Sequence, residues 1–402
     1  MKIGIIGAGP AGMMAALEAR KFGGQTLLFD GNPSVGRKLL VTGSGRCNLT
    51  NAAVAADRYH CADHTWIAAV LDAFGHDDLL NYLHGLGILT YATSDGWVYP
   101  RSESAAAVVA IINAALEQAG VEVHSGTRIR SIERHNRGFI LIGDTDETFE
   151  LDRVVVACGG MAYPSLGSTG HLFPVLKALG HTIIPVRPAL APILAEMGPY
   201  RKLQGVRLDA KASLFEKDNL LGSATGNLIF TEWGLNGPAV MDISHLVSAR
   251  PGVDLRLELN LLFDCEAELR GILGKRQGEP VLLRTLLGSA LPPKVPPLVL
   301  ELAGLPGNVT LKDTSHEKLE TVFHLLTHLP FNARGVRGFE YCQVSSGGIA
   351  VDEVDARSMQ SKIVPGLFFV GEVLDVTGPC GGYNLQFAFS TGVIAGRAAG
   401  KA

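Results

Sequence analysis

The stretch Lys2-Ile3-Gly4-Ile5-Ile6-Gly7-Ala8-Gly9-Pro10-Ala11-Gly12, completed by Thr26-Leu27-Leu28-Phe29-Asp30, decides the fold. It reads as an apolar strand, a G-x-G-x-x-G turn, a helix rich in Ala, Met and Leu from Ala11 to Phe22, and a second strand ending in an acid. Each glycine has its own task in a dinucleotide site. Gly7 permits the tight turn, Gly9 lets a pyrophosphate approach the backbone, and Gly12 lets the helix pack on the strand. The phosphates then rest on a helix N-terminus, where unpaired N–H groups and the positive dipole end attract anions without a basic side chain. Asp30, eighteen positions beyond Gly12, is placed to accept hydrogen bonds from an adenosine ribose and to repel a 2′-phosphate.

Composition sets the outer limits. With 402 residues, 47% hydrophobic and 18% charged, the chain is globular, with a large core and two or three domains. The net charge of −4 and the lack of any Lys/Arg block argue against a nucleic-acid partner. The first strand begins at residue 2 without a leader, and no apolar run approaches the roughly 18 residues of a membrane span, so a cytoplasmic enzyme is expected. Six cysteines without a C-x-x-C argue for reduced thiols and against a zinc site or a short-spaced redox dithiol.

Working outward, the segment GRKLLVTGSGRCNLTN at 36–51 directly follows the second strand and its acidic stop. Gly43, Ser44 and Gly45 make a loop able to offer backbone N–H groups to phosphate or ribityl oxygens. Lys38 and Arg46 bring positive charge close by, and Asn48, Thr50 and Asn51 add short polar groups. Two helices are expected over Thr65–Gly87, a short strand at Trp97–Pro100, and a helix capped by Ser102 that runs to Ala119. A parallel strand at Val121–His124, a meander of three and the buried strand Arg153–Ala157 follow.

A single NAD-type unit would continue with alternating strands and helices. This chain instead leaves the fold near Pro185, Pro188 and Pro192 and returns at the far end. Residues 1–188 and 336–402 are expected to form the dinucleotide-binding domain. An inserted domain over 189–335 is β-rich over 189–263 and mainly helical over 264–335. On the return, a strand at Gly366–Val370 ends in Gly371 and Glu372, and a helix starts near Tyr383-Asn384. This fits FAD better than NAD: Glu372 can reach the ribityl hydroxyls, and the helix can aim its N–H groups at the flavin pyrimidine edge, where charge develops on reduction.

These residues resemble the bacterial aminoacetone-oxidase-like family of FAD-binding flavoproteins, within the glutathione-reductase-like group of two-part FAD folds. The resemblance is carried by GAGPAG at 7–12, GRKLLVTGSGRCNLTN at 36–51, GGMAYPSLGSTG at 159–170, GHTIIPVRPALAPI at 180–193, FTEWGLNGP at 230–238, SGGIAVDEV at 346–354 and GLFFVGEVLDVTGPCGGYNLQFAFSTG at 366–392. It implies an α/β, Rossmann-like FAD fold with a parallel sheet and a β-meander, built from both chain ends around an inserted domain. It also implies cofactor contacts at Arg37, Cys47, Gly159, Asp375, Gly382 and Leu385, beside Ala11, Tyr383 and Asn384. Two positions depart from the family pattern: Glu232 stands where many relatives have His, and Cys158 where many have Thr.

The expected activity is two-electron oxidoreduction of a small organic substrate, with NAD(P)H or oxygen as second partner. There is no second strand–GxGxxG–helix unit, so NAD(P)H would dock transiently on the flavin face. Glu232, Tyr383 and Cys47 are the candidates for chemistry. A non-catalytic flavin sensor or scaffold and an FAD-dependent RNA-modifying protein are the alternatives.

Overall fold

The computed structural model describes residues 1–136 and 138–401. The chain divides into two compact units, Met1–Arg187 with Cys342–Ala402, and Pro188–Tyr341.

The first unit is organised on a five-stranded parallel sheet. Its order is Leu367–Phe369, Arg153–Val156, Lys2–Ile6, Gln25–Asp30 and Glu122–Ser125. Parallel strands are covered on both faces, so they read as continuous apolar runs rather than alternating ones. Accordingly Ile3, Ile5, Leu28, Phe29, Val154, Val155, Val156 and Phe369 are all buried. The meander Ile129–His135, Gly138–Gly143 and Thr148–Leu151 is antiparallel, as its alternation requires. A further small sheet joins Thr50–Asn51, Trp97–Pro100 and Thr90–Ala92.

Two helices, one from each end of the chain, lie against each other behind the sheet: Pro10–Arg20 and Tyr383–Gly400. Small residues make this approach feasible. A Cβ on Gly392 would stand 2.3 Å from the Ala11 carbonyl oxygen, and one on Gly396 2.4 Å from that of Ala15. Arg397 Nε donates to buried Glu18 across this contact at 2.9 Å. Arg153 closes the other end by donating to the Ala398 and Ala399 carbonyls, satisfying acceptors that a helix C-terminus leaves open.

The second unit holds a closed six-stranded antiparallel barrel: Ile193–Ala195, Gly234–Asn236, Asn219–Phe230, Arg207–Glu216, Leu255–Asn260 and Leu329–Val336. Its interior is filled by alternating side chains such as Ala212, Leu214, Leu257 and Phe331. The helices Glu266–Lys275, Val295–Leu302 and His316–Thr327 interrupt it before its last strand.

Two local expectations need correction. The final barrel strand, Leu329–Val336, lies in the stretch read as mainly helical; there buried Leu329, Phe331 and Ala333 alternate with exposed neighbours, a strand period that follows directly on a helix. Ser104, not Ser102, caps the helix Ala105–Ala119, accepting from Ala107 N–H at 3.2 Å, while Glu103 sits before it at φ 48°. The C-terminal helix starts at Tyr383 because left-handed Gly382 supplies its N-cap.

Candidate functional site

The glycine turn is built as its spacing demands. Gly7 has φ 105°, and a Cβ there would lie 2.3 Å from the Ala157 carbonyl oxygen; a Cβ on Gly12 would lie 1.8 Å from that of Gly7. Gly9 is different, since nothing stands within 4 Å of its Cβ position. That side of the loop is therefore open to a ligand. The helix after it begins with Pro10 and has no side-chain cap, so its first N–H groups are left for an anion.

Asp30 has a task that the sequence did not reveal. Its Oδ2 accepts from Ala8 N–H at 2.8 Å, and its Oδ1 accepts from the backbone and side-chain nitrogens of Asn32 at 2.8 and 2.9 Å. The carboxylate thus fixes the glycine loop to the end of the second strand. An ionised carboxylate has about four lone-pair sites, so capacity remains for a ribose hydroxyl. Asn32 also donates to the Leu166 carbonyl at 3.0 Å and so holds the 159–170 loop beside the same strand end. Within that loop Gly159 has φ 73°, and a Cβ there would press on buried Ser168.

In the 36–51 segment the backbone turns left-handed at Gly43 and Ser44, with φ 55° and 57°, then at Gly45 and again at Cys47 with φ 63°. The charges here are divided. Lys38 Nζ is held by Glu372 Oε2 at 2.5 Å, and Arg46 stacks with its Cζ 4.7 Å from the Tyr99 ring centre. Arg37, partly buried, has no hydrogen-bond, ion-pair or ring partner among the described residues, which makes it the basic group of this segment left for a phosphate. Cys47 is wholly buried, and that burial pushes its thiol up to about 12. The thiolate, not the thiol, is the nucleophilic form of a cysteine, and burial of Cys47 disfavours that form. Cys158 is pushed up to about 12 for the same reason.

Asn48, Thr50 and Asn51 are clamps. Asn48, with its amide oriented to satisfy its neighbours, donates to the Thr50 and Val98 carbonyls and accepts from Gly382 N–H at 3.2 Å. Thr50 Oγ1 donates to Gln386 Oε1 at 2.5 Å, and Asn51 Nδ2 donates to the Gly381 carbonyl at 2.9 Å. Gln386 continues inward to Ser390, and Ser390 to the Phe74 carbonyl. The two motif segments at opposite ends of the chain are thereby fastened into one body.

The returning segment is equally committed. Glu372 Oε1 accepts from both the N–H and the hydroxyl of Ser345 at 2.9 Å, in addition to the Lys38 contact, so most of its capacity for ribityl hydroxyls is used by the protein. Gly371 N–H donates to Thr391 Oγ1, and a Cβ on Gly371 would meet Ala11. Asp375 accepts from Gly347 N–H at 2.9 Å, and burial raises its carboxyl above the ordinary range. Asn384 folds back on Gly378, bonding both its N–H and its carbonyl. Tyr383 is buried, edge-on to Tyr59, whose hydroxyl donates to the Tyr383 carbonyl. Leu385 is partly exposed in the same first turn, which has no side-chain cap. Thr377 contributes a buried hydroxyl that lacks a protein partner. Glu232 is solvent-exposed in the second unit, between strands Asn219–Phe230 and Gly234–Asn236.

Two uncapped helix starts, an open face at Gly9, an uncommitted Arg37 and an orphaned Thr377 hydroxyl suit a long, anionic, hydrogen-bonding cofactor. The site is that of an FAD-dependent oxidoreductase, an enzyme rather than a passive flavin carrier. More narrowly, residues 1–398 match the HI0933-like protein Rossmann domain, and the chain belongs to that family. It is 34% identical to the 3-dehydro-bile acid delta(4,6)-reductase of Clostridium scindens, over 100% of this chain and 99% of that one. It is 31% identical to the ribosomal RNA dihydrouridine synthase of Escherichia coli, over 96% and 95% of the two chains. The 3-ketosteroid delta1-dehydrogenase of Sterolibacterium denitrificans shares the fold, with a TM-score of 0.52 at 13% identity and 99% of each chain covered. The membership shown is of the HI0933-like family, and none of these relatives supports the aminoacetone-oxidase resemblance specifically.

Proposed function

We propose that this enzyme reduces a carbon–carbon double bond conjugated to a carbonyl in a small organic molecule, with NAD(P)H as electron donor. The observation that carries the proposal is the full-length likeness to a reductase of 3-dehydro-bile acids. The second relative supports the same chemistry from another direction, because making dihydrouridine saturates a double bond beside a ring carbonyl. In the proposed reaction a hydride adds to an electrophilic carbon of the conjugated system, β to the carbonyl in an enone and β or δ in a dienone, and a proton adds to the other carbon of the bond that is saturated. NAD(P)H is oxidised to NAD(P)+ as the bond is saturated.

Bound FAD would supply the hydride-transfer chemistry between the two partners. The chain's own residues would bind and orient. The turn Gly7–Gly12, Arg37 and the first turn of Pro10–Arg20 would take the pyrophosphate. Asp30 would take the adenosine ribose. The 43–48 loop, Gly159, Glu372 and the start of Tyr383–Gly400 would take the flavin end. Asp375 and Tyr383 are two protic side chains of that end, and burial raises the Asp375 carboxyl above its ordinary value. Glu232 remains our candidate for a polar group on the substrate.

RNA reduction is the second reading, favoured by the dihydrouridine synthase relative. Charge weighs against it: residues 188–341 carry 16 Lys/Arg against 17 Asp/Glu, whereas RNA binding rests on many phosphate contacts. The deciding experiment offers the holoenzyme NADH or NADPH with a 3-oxo-4,6-diene steroid acid, with unmodified ribosomal RNA, or with oxygen alone. Saturation of the steroid diene at a rate well above oxygen consumption supports the proposal. Dihydrouridine formation without steroid turnover would replace it with the second reading.

A further inference from the structure

A row of aromatic rings lies across two glycine segments of the first unit. In its small sheet Tyr91 pairs with Tyr99, and Trp97 stands two positions before Tyr99 on the same strand, so these side chains share one face. Ring centres are 6.1 Å apart for Tyr91 and Tyr99 and 6.5 Å apart for Trp97 and Tyr99. Glycines make room for the row. A Cβ on Gly43 would stand 3.3 Å from the Tyr99 ring, and one on Gly381 3.0 Å from the Trp97 indole nitrogen. Asn51, the strand partner of Trp97, secures the second contact by donating to the Gly381 carbonyl.

The middle ring is buried, whereas Tyr91 and Trp97 are partly exposed at the ends of the row. The exposed Arg46 guanidinium rests on that middle ring, and its hydrogen bonds to the Gly43 carbonyl and the Tyr99 hydroxyl are long, at 3.4 and 3.5 Å. Among the described residues Arg46 has no carboxylate partner, and the Trp97 indole N–H has no acceptor. The neighbouring acids are committed, Glu103 to the Tyr91 hydroxyl and Asp95 to that of Thr93. Aromatic rings stack with heteroaromatic bases, and a guanidinium fork matches a phosphate. A single cation between two open rings suits a dinucleotide better than RNA, which rests on many phosphate contacts.

We infer that Trp97, Tyr91 and Arg46 form the docking site of the dihydronicotinamide dinucleotide, with the nicotinamide on Trp97 beside the start of Tyr383–Gly400 and a phosphate on Arg46. This rests on the reading of the enzyme as an NAD(P)H-dependent reductase, and it gives the donor a place without a second glycine-motif unit. The docked donor passes a hydride to bound FAD, a proton comes from solvent, and NAD(P)+ leaves.

The test follows anaerobic flavin reduction by NADH and NADPH in stopped flow, and binding of unreactive NAD+ and NADP+ by isothermal titration, on FAD-loaded wild type, Trp97→Leu, Trp97→Phe and Arg46→Gln. Trp97→Leu should raise the Kd of reduced and oxidised nucleotides about tenfold, with FAD content and reoxidation of the dithionite-reduced enzyme by oxygen unchanged. Trp97→Phe should recover most of the loss, and Arg46→Gln should weaken binding and flatten its dependence on salt. Flavin reduction by NAD(P)H with Kd unmoved in Trp97→Leu and Arg46→Gln would overturn the site and leave the donor reading standing. Loss of FAD from Trp97→Leu and Trp97→Phe alike would also overturn it, since the ring would then only prop the glycine segments. Should neither nucleotide reduce the flavin, the donor reading fails by itself. The titration then decides about the site: NAD(P)+ binding that disappears in Trp97→Leu sustains it, and no binding refutes it. Displacement of NADP+ by a uridine oligonucleotide that itself binds tighter, with the same dependence on Trp97, would overturn the dinucleotide in favour of RNA bases.

Discussion

The two units bury very different matter. Among the buried polar side chains of the described residues, Ser244 and Thr327 belong to the second unit and the others, including Glu18, Asn48, Thr50, Asn51, Ser345, Gln386 and Ser390, to the first. The buried interior of the barrel is apolar, whereas the FAD-binding unit runs hydrogen-bonded chains through its core. An apolar core tolerates substitutions that keep volume, because its attraction is non-directional. A buried polar network does not, because each lost partner leaves another group desolvated and unpaired. The FAD unit has given up tolerance for a fixed arrangement of loops, and the barrel has kept it.

That contrast can be tested by mutation. The largest effect should come from Gly392→Val, whose side chain would run into the Ala11 backbone where the two terminal helices touch. Loss of more than about 3 kcal/mol of stability is expected, with flavin release. Chemical denaturation followed by flavin fluorescence measures it, and a stable yellow variant would mean the helices separate easily. Next is Gln386→Leu, which removes the amide that accepts from Thr50 Oγ1 and donates to Ser390 Oγ in the buried network. It should lose about 1–3 kcal/mol, whereas Leu257→Met inside the barrel should lose less than about 1.5 kcal/mol. Similar losses at both positions would erase the distinction between the units.

A smaller effect is tied to pH. Burial pushes the Glu18 carboxyl up, but hydrogen bonds from Lys21, Arg397 and Tyr82 outweigh it and hold the group below its ordinary value. A carboxylate lowered on folding contributes stability that is present above its unfolded pKa, about 4.3, and is lost as pH falls through the lower folded value. Arg397→Met should therefore move the acid-unfolding midpoint to higher pH, as read by circular dichroism, with little change near pH 8 in the dependence on pH. An unmoved midpoint would show that Lys21 and Tyr82 hold the carboxylate without Arg397. The smallest effect lies in the second unit: Gly271→Ala, in an exposed helix position with nothing within 4 Å, should gain up to about 1 kcal/mol.

How much of this could be read from sequence depends on how far apart the interacting residues lie. The turn at 7–12 is legible because Gly7, Gly9 and Gly12 answer to neighbours within one strand–helix unit. The apolar strand runs and the meander are legible through their periods. The clamps were not, since Thr50 meets Gln386 and Asn51 meets Gly381 across more than three hundred residues. Short polar side chains beside a glycine loop look the same in sequence whether they face a phosphate or another loop. Lys38 and Glu372 were both read as cofactor contacts, yet each is the other's partner. Cys47 lies in a specific motif, but the motif alone does not say that its thiol is buried.

The most direct test of the central claim is a single turnover without oxygen. Holoenzyme reduced with one equivalent of dithionite is mixed with a 3-oxo-4,6-diene steroid acid, while the 450 nm flavin band and the product mass are followed. The account predicts return of the oxidised flavin band, with one product gaining two mass units per flavin and one double bond of the diene saturated. A flavin that stays reduced in the presence of the diene, yet reoxidises with uridine-containing ribosomal RNA, would contradict it.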